Sequence, residues 1–361
     1  MRISTYDNFI KENIAPYDAK RIGIYNSYNR RVGGFGLQSL TIPNIGEKLY
    51  SFGAISDTHL GGAYPTSDAD TKRAFRYFQK VNVDFVAHCG DFTAYGSDYE
   101  CETWKALKES AEFNSLEIYE IAGNHDARPL KDNPKLTDER FQQYFGHNLF
   151  YTVEKGNDLF IFLSMNTWDN NNDGNMEAFA DEDLQALYET LEANRNKRCF
   201  FFQHCFYWYG SGNPKESYGY DLLSGTQGEL LFNLLRHYKN TIFFHGHSHL
   251  IFETQEQDSI SNYDNVLGIH SIHIPSATQP KQLVNGESET IEEGETSVYS
   301  QGYVVDVYDN YIVLNGINFV TEEQLPIATY CLDTTLQTIE ANTFGTLAIL
   351  DKAILDVSKL A

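Results

Sequence analysis

Short apolar runs alternate along this chain with segments whose apolar residues recur at helical spacing. From Lys48 onward the order reads strand Tyr50 to Ile55, helix Asp68 to Lys80, strand Val83 to Ala87, helix Tyr99 to Ser110 and strand Leu116 to Ile121. Runs of this kind predict buried strands, and the helices between them predict layers covering a sheet. The pattern continues with a hairpin, Phe150 to Val153 and Leu159 to Ser164, an acidic amphipathic helix over Asp181 to Asn194, and a strand at Cys199 to Gln203. A helix over Gln227 to Tyr238 then leads into strand Thr241 to Phe244. Beyond His249 only strands are predicted, at Val266 to His273, Gly302 to Val307 and Tyr311 to Leu314, with an acidic loop over Gly286 to Glu295. These late strands are expected to close the domain as a second sheet.

The pattern divides the chain in three. Residues 1–47 are polar and punctuated by glycine, which predicts a small N-terminal appendage; residues 48–320 form the main α/β (α+β) domain; residues 321–361 form a C-terminal extension. The closing segment LAILDKAILDVSKLA places Leu347, Leu350, Ile354 and Val357 at helical spacing. An amphipathic helix there could dock on the body or join two copies into a homo-oligomer, and periodicity alone does not choose.

Composition changes this picture in two ways. An aromatic content of 14%, with 24 Tyr and 24 Phe in 361 residues, suits large sheets with filled interiors. The 27 Lys and Arg against 50 Asp and Glu give a formal charge of -23, which repels a phosphate backbone and argues against broad nucleic-acid binding. A small phosphorylated substrate would need local cations, and without a dense Lys/Arg cluster bound divalent metals are the natural source. The cysteines Cys89, Cys101, Cys199, Cys205 and Cys331 are scattered, as expected of reduced structural thiols. No apolar run has the length of a secretory signal or a membrane span, so a cytoplasmic location without membrane contact is expected.

Five short segments place metal-binding side chains directly after predicted strands: Asp57 and His59 in SDTH, Asp91 in GD, Asn124 and His125 in GNHD, His204 in QH, and His247 and His249 in GHSH. Open α/β sheets build their sites at strand ends, so these loops can meet in one crevice. Two metals roughly 3.5–4 Å apart need a bridging carboxylate, nitrogen or oxygen ligands on each ion, and open positions for water and substrate. Asp91 is the natural bridge because a carboxylate offers two oxygens. Strand alternation lets Asp57 and His59 reach one ion together and puts His247 and His249 on a common side.

The order D-x-H, GD, GNH[DE], H and GHxH resembles the signature of the calcineurin-like metallophosphoesterases, over about Tyr50 to His249. The resemblance implies a β-sandwich flanked by α-helices. It implies that Asp57, His59 and His249 hold a first metal, that Asn124, His204 and His247 hold a second, and that Asp91 bridges them. It further implies in-line attack on phosphorus by a metal-bridging hydroxide, with His125 contacting the phosphoryl oxygen or protonating the leaving group and Asp126 orienting His125. The substrate would be a small phosphomonoester or phosphodiester, a nucleotide among the candidates. Nitrogen and oxygen ligands without thiolate suit manganese, iron or zinc. GDFTAYG lacks the Asp-Arg pair of Ser/Thr protein phosphatases and has Ala94 where purple acid phosphatases carry tyrosine, so the pattern looks most like the phosphodiesterase branch.

Other features have plainer readings. His88, His147, His237, His245, His270 and His273 lie outside the motifs and are expected to be structural, and Cys205 should point into packing. DNNNDGNME imitates the start of a calcium loop, but Ala180 replaces the final glutamate, which favours a solvated loop. The run Phe206, Tyr207, Trp208 and Tyr209 could stack on a planar leaving group or plug the gap between sheets. NIAPYDAKRIGIYN and PIATYCLDTTLQTIEANTF loosely resemble segments attached to phage and phage-like proteins. That second resemblance implies an alternative setting, a structural or adhesive assembly component, virion-associated, that carries this domain as an accessory.

Overall fold

The computed structural model describes residues 45–61, 65–128, 136–168, 178–205, 211–212, 225–254, 262–266, 268–285, 287–291 and 296–339. The first half runs β1 (Tyr50–Ile55), α1 (Ser67–Val81), β2 (Phe85–His88), α2 (Asp98–Glu109), β3 (Ile118–Glu120), α3 (Asn124–Ala127), α4 (Asp138–Phe145), β4 (Phe150–Lys155) and β5 (Asp158–Leu163). It continues with α5 (Asp181–Ala193), β6 (Cys199–Phe202), α6 (Gly225–His237), β7 (Thr241–His245), β8 (Tyr263–Val266) and β9 (Ile269–His273). The last strands are β10 (Lys281–Val284), β11 (Glu287–Thr290), β12 (Gln301–Val307), β13 (Tyr311–Asn318) and β14 (Glu323–Asp333).

Two six-stranded mixed sheets result, ordered β14-β13-β12-β1-β2-β3 and β4-β5-β6-β7-β9-β8, with β10 and β11 as a separate hairpin. Strands β1, β2 and β3 are parallel, as are β5, β6, β7 and β9, so their carboxyl ends share an edge within each sheet. Each central strand is apolar on both faces because each face meets a different layer. Phe52, Phe85, Phe160, Phe162, Phe200, Phe202 and Phe244 fill the space between the sheets. Ile55, Ile161, Leu163, Phe201 and Phe243 point the other way, into the layer shared with Phe75, Phe78, Leu184 and Leu231 of the helices. Helix α1 buries Ala74, Phe75 and Phe78 and ends at Asn82, whose left-handed backbone lets its N–H bond the Gln79 and Phe78 carbonyls. Helix α2 opens on a reciprocal Ser97–Glu100 capping box.

The late strands differ from expectation. They do not form a sheet of their own: β12, β13 and β14 extend the sheet of β1, while β8 and β9 extend that of β7. The strand expected over Val266 to His273 is β9, starting later than expected because the chain reverses at Gly268, with φ 83°, after β8 ends at Val266. Part of the expected acidic loop is β11, paired with β10 so that Gln282 and Lys281 face Glu289 and Thr290. The segment set aside as an extension from residue 321 contains β14, whose Ala328, Tyr330 and Leu332 are buried at alternate positions. The appendage before residue 45, the helix around Leu347 to Val357, the calcium-like loop and the aromatic run 206–209 lie outside the described residues.

Candidate metal centre

The five motif loops leave β1, β2, β3, β6 and β7 and meet at one edge of the sandwich. Asp57, His59, Asp91 and His249 bring one ligand atom each within 4.8 Å of one another, and Asp91, His204 and His247 form a second such group. Asp91 belongs to both. All six side chains are buried. Asn124, the first residue of α3, is buried as well.

The ring nitrogens show how the loops aim these groups. His204 Nδ1 donates to the Cys89 carbonyl at 2.7 Å and His249 Nδ1 to the Gln279 carbonyl at 3.1 Å, which leaves each Nε2 facing inward. His249 Nε2 lies 3.0 Å from Asp57 Oδ1, and His204 Nε2 lies 3.2 Å from Asp91 Oδ2. His59 Nε2 is 3.9 Å from both of those oxygens and 3.3 Å from His249 Nε2. The other carboxylate oxygens are already engaged: Asp57 Oδ2 accepts the His247 N–H and Asp91 Oδ1 accepts the His125 N–H. Asp91 therefore offers one oxygen to both groups, Oδ2, where residue type alone promised two.

Backbone geometry marks the same loops. Eight described non-glycine residues have positive φ, and five of them are Asp57, His59, Asp91, His247 and His249, at 44–74°. Left-handed backbone is unfavourable for residues with a Cβ and concentrates at functional sites. Two motif glycines have their own reasons. Gly90 adopts φ 93°, and a Cβ on Gly246 would overlap the Ser56 hydroxyl and the Asp57 carboxylate.

Burial works against charge on Asp57 and Asp91. His249 and His204 outweigh it at Asp57, and His204 and His125 at Asp91, holding both carboxyls well below the usual range. Burial likewise disfavours a charged His204, yet Asp91 and Asp57 raise its pKa to about 9. Burial pushes His59, His247 and His249 down, towards the neutral imidazoles that bind metal.

The donor set fits divalent cations. Asn124 Oδ1 is buried without a hydrogen-bond partner, and Asp57 Oδ1, Asp91 Oδ2 and His204 Nε2 are buried with only one another and the neighbouring imidazoles in reach. Buried polar atoms are costly unless fully partnered, and this convergence of oxygens and imidazole nitrogens suits a ligand that accepts lone pairs. The two residues expected to work beside the metals separate in role. His125 is half-buried, its ring edge-on to His59 with centroids 4.7 Å apart, and its Nδ1 donates to the Ala94 carbonyl at 2.7 Å. Asp126 does not supply that orienting contact. Its carboxylate accepts from the amides of Phe92, Thr93 and Gly123 and from the Thr93 hydroxyl, stitching the Asp91 loop to the Asn124 loop. Burial, with Asp91 nearby, pushes its carboxyl up to about 8 against the bonds from Thr93 and Gly123.

Of the histidines expected to be structural, three are buried and bonded to hydroxyls: His88 to Thr58, His245 to Ser211 and Ser271, and His273 to Ser248. Cys205 is buried, with its Sγ 3.8 Å from Met165 Sδ. Sequence reasoning misses the segment Ser276–Gln279, which touches the site throughout. Its signal is a polar Ser/Thr loop bracketed by Pro275 and Pro280 after an apolar strand, the same placement as the motif loops.

The sequence profile of the calcineurin-like phosphoesterases matches residues 50–250. The chain belongs to that family. No curated protein matches its sequence. Among solved structures, a dimetal phosphatase from Danio rerio shares the fold with a TM-score of 0.53 at 14% identity, over 80% of this chain and 100% of that one. A purple acid phosphatase from yellow lupin seeds gives 0.50 at 14% identity, over 81% of this chain and 57% of that one. As a member of the family, the chain is a metal-dependent phosphoester hydrolase. Among the described residues, no helix is long and apolar enough to cross a membrane.

Proposed function

We propose that this phosphoesterase hydrolyses a small phosphomonoester or phosphodiester with two metal ions. Asp57, His59 and His249 would hold one ion, Asn124, His204 and His247 the other, and Asp91 Oδ2 would join them. The reading is carried by one observation, two groups of buried ligand atoms that share Asp91. When bound, the ions supply positive charge against the phosphoryl oxygens and make a water molecule nucleophilic at neutral pH. They also offset the strongly negative field of the chain. Manganese, iron and zinc all suit these ligands.

The chain's own contribution is placement. His125, with Nδ1–H committed to Ala94, leaves Nε2 to a substrate oxygen, where as the imidazolium it would donate to the phosphoryl group or give its proton to the leaving alkoxide. Asp126 acts through the loops it joins and is a positioning residue. The test is metal content and turnover on a panel of mono- and diesters after reconstitution with each metal, alongside Asp91→Asn and His125→Ala. Two ions per chain and loss of turnover in Asp91→Asn are expected. Undiminished turnover in that variant would exclude Asp91 as the shared ligand.

A further inference from the structure

The loop that follows β9 makes contacts that distinguish the two halves of the centre. Ser276 pairs with Ser56 in an isolated parallel bridge, and the Ala277 N–H donates to the Ser56 carbonyl at 3.0 Å. The Ser276 hydroxyl donates to the Asp57 carbonyl at 2.8 Å while accepting the amides of Thr278 and Gln279. The Thr278 hydroxyl lies 3.1 Å from the Asp57 carbonyl and 2.9 Å from that of Thr58, so a single proton is shared between two acceptors. One residue on, the Gln279 carbonyl receives His249 Nδ1, and the Lys281 N–H then bonds the His249 carbonyl at 3.0 Å. Ser276, Thr278 and Gln279 are buried, so water does not stand in for these contacts.

The bonds that leave this strap land on Ser56, on the Asp57 and Thr58 carbonyls of the D-x-H turn, and on His249, so those to the site reach residues assigned to the first ion. His204 and His247 are fixed by other groups, the Cys89 carbonyl and the Asp57 carboxylate. The residues held by the strap include two of those with left-handed backbone, with φ 55° at Asp57 and 60° at His249. A conformation of this kind persists only where its surroundings over-determine it. The peptide between Asp57 and Thr58 sets the direction in which the Asp57 carboxylate leaves the chain. Two hydroxyls grip its carbonyl.

We propose that the strap Ser276–Gln279 positions the first ion's ligands, and that the Thr278 hydroxyl sets the affinity of that half of the centre without contacting metal or substrate. The inference rests on the two-ion reading above. Partners of metal ligands at this remove change affinity by about 10–100-fold when removed. Manganese binding by the purified full chain, followed through the paramagnetic resonance of free Mn2+, tests it without reference to turnover. Wild type should bind two ions. Thr278→Val, which keeps the shape and removes the hydroxyl, should weaken one of them by about tenfold or more and leave the other within about twofold. Thr278→Ser restores the hydroxyl and should restore both affinities.

Two unchanged affinities in Thr278→Val would overturn the proposal, as would equal weakening of both ions. If the valine variant does not fold, Thr278→Ser still decides: wild-type affinities support the hydroxyl, and a tenfold loss despite its presence overturns it. Wild-type binding of fewer than two ions would overturn the two-ion reading itself, and this inference with it.

Discussion

Between the sheets, Phe160 stacks on Phe200 with ring centroids 4.6 Å apart and meets Phe85 and Phe52 edge-on at 5.0 and 5.2 Å. A few residues further along the same strands, the rim places Asp57, Asp91 and His247 in left-handed backbone with carboxylates and imidazoles packed at ion-pair distances. The interior satisfies local preference, pattern and packing at once. The rim violates backbone preference and polar satisfaction together, which natural chains do at functional sites. The difference teaches where stability comes from: an aromatic layer large enough to carry a rim that is unfavourable until cations neutralise it.

The largest effect should come from breaking the favourable side. Phe160→Ala removes a fully buried ring from the middle of five aromatic neighbours. It should cost about 3–5 kcal/mol of unfolding free energy in a urea titration. The folded fraction should still bind metal as wild type does, because the ring lies away from the motif loops. Altered metal stoichiometry in folded Phe160→Ala would mean that interior and rim are not separable.

Relieving the rim should have the next largest effect. A ligand that binds only the folded state at a hundred times its Kd stabilises it by about 2.7 kcal/mol, so Mn2+ at that excess should raise Tm well above that of chelator-treated protein. Calorimetry with and without metal measures the difference. An identical Tm in both conditions would contradict a rim that is costly when empty of charge compensation.

The same contrast explains which features are legible in the amino-acid sequence and which are not. Strands β1, β5, β6 and β7 are legible because burial on both faces leaves an unbroken apolar run, and the motif residues stand out by following such runs. Strand β11 is not, because Glu287, Ser288 and Glu289 owe their strand to pairing with β10 and not to a buried face. The reversal at Gly268 is hidden by the apolar residues on either side of it. The strap escapes notice for a different reason: serine and threonine in a loop mark any turn, and only their contacts with the Asp57 carbonyl distinguish them. Asp91 stands out by residue type, yet the commitment of its Oδ1 to the His125 amide depends on where α3 begins.

Acid should act on the rim's supports. His88 and His273 sit behind the ligand loops, with Nε2 3.0 Å from the Thr58 hydroxyl and 2.8 Å from the Ser248 hydroxyl. Burial lowers both from 6.5 to about 3. Each is neutral when folded and takes up a proton on unfolding between those values, so its contribution is whole above about 6.5 and declines as pH falls towards 3. Metal-free protein should lose up to about 1.4 kcal/mol per pH unit for each such histidine across that window. Burial lowers His59, His245 and His247 in the same direction, so His88→Gln with His273→Gln should flatten the slope of Tm against pH without abolishing it. A double variant with the wild-type slope would remove these two histidines from the account.

The smallest effect isolates backbone strain from function. Asn82 shares the left-handed conformation of the ligand residues, with φ 57°, but ends α1 and serves no metal. Asn82→Gly should therefore be neutral or gain a few tenths of a kcal/mol, and Asn82→Ala should cost about 1 kcal/mol, since a Cβ is disfavoured there and alanine lacks the local hydrogen bonding that helps asparagine tolerate it. Both variants should bind metal as wild type does. At Asp57 or His249 the same relief is closed, because the glycine that would relax the backbone also deletes the side chain the conformation exists to aim. If Asn82→Ala proves as stable as wild type in urea, left-handed backbone is cheap in this fold, and the five strained residues at the rim lose their meaning as a mark of the site.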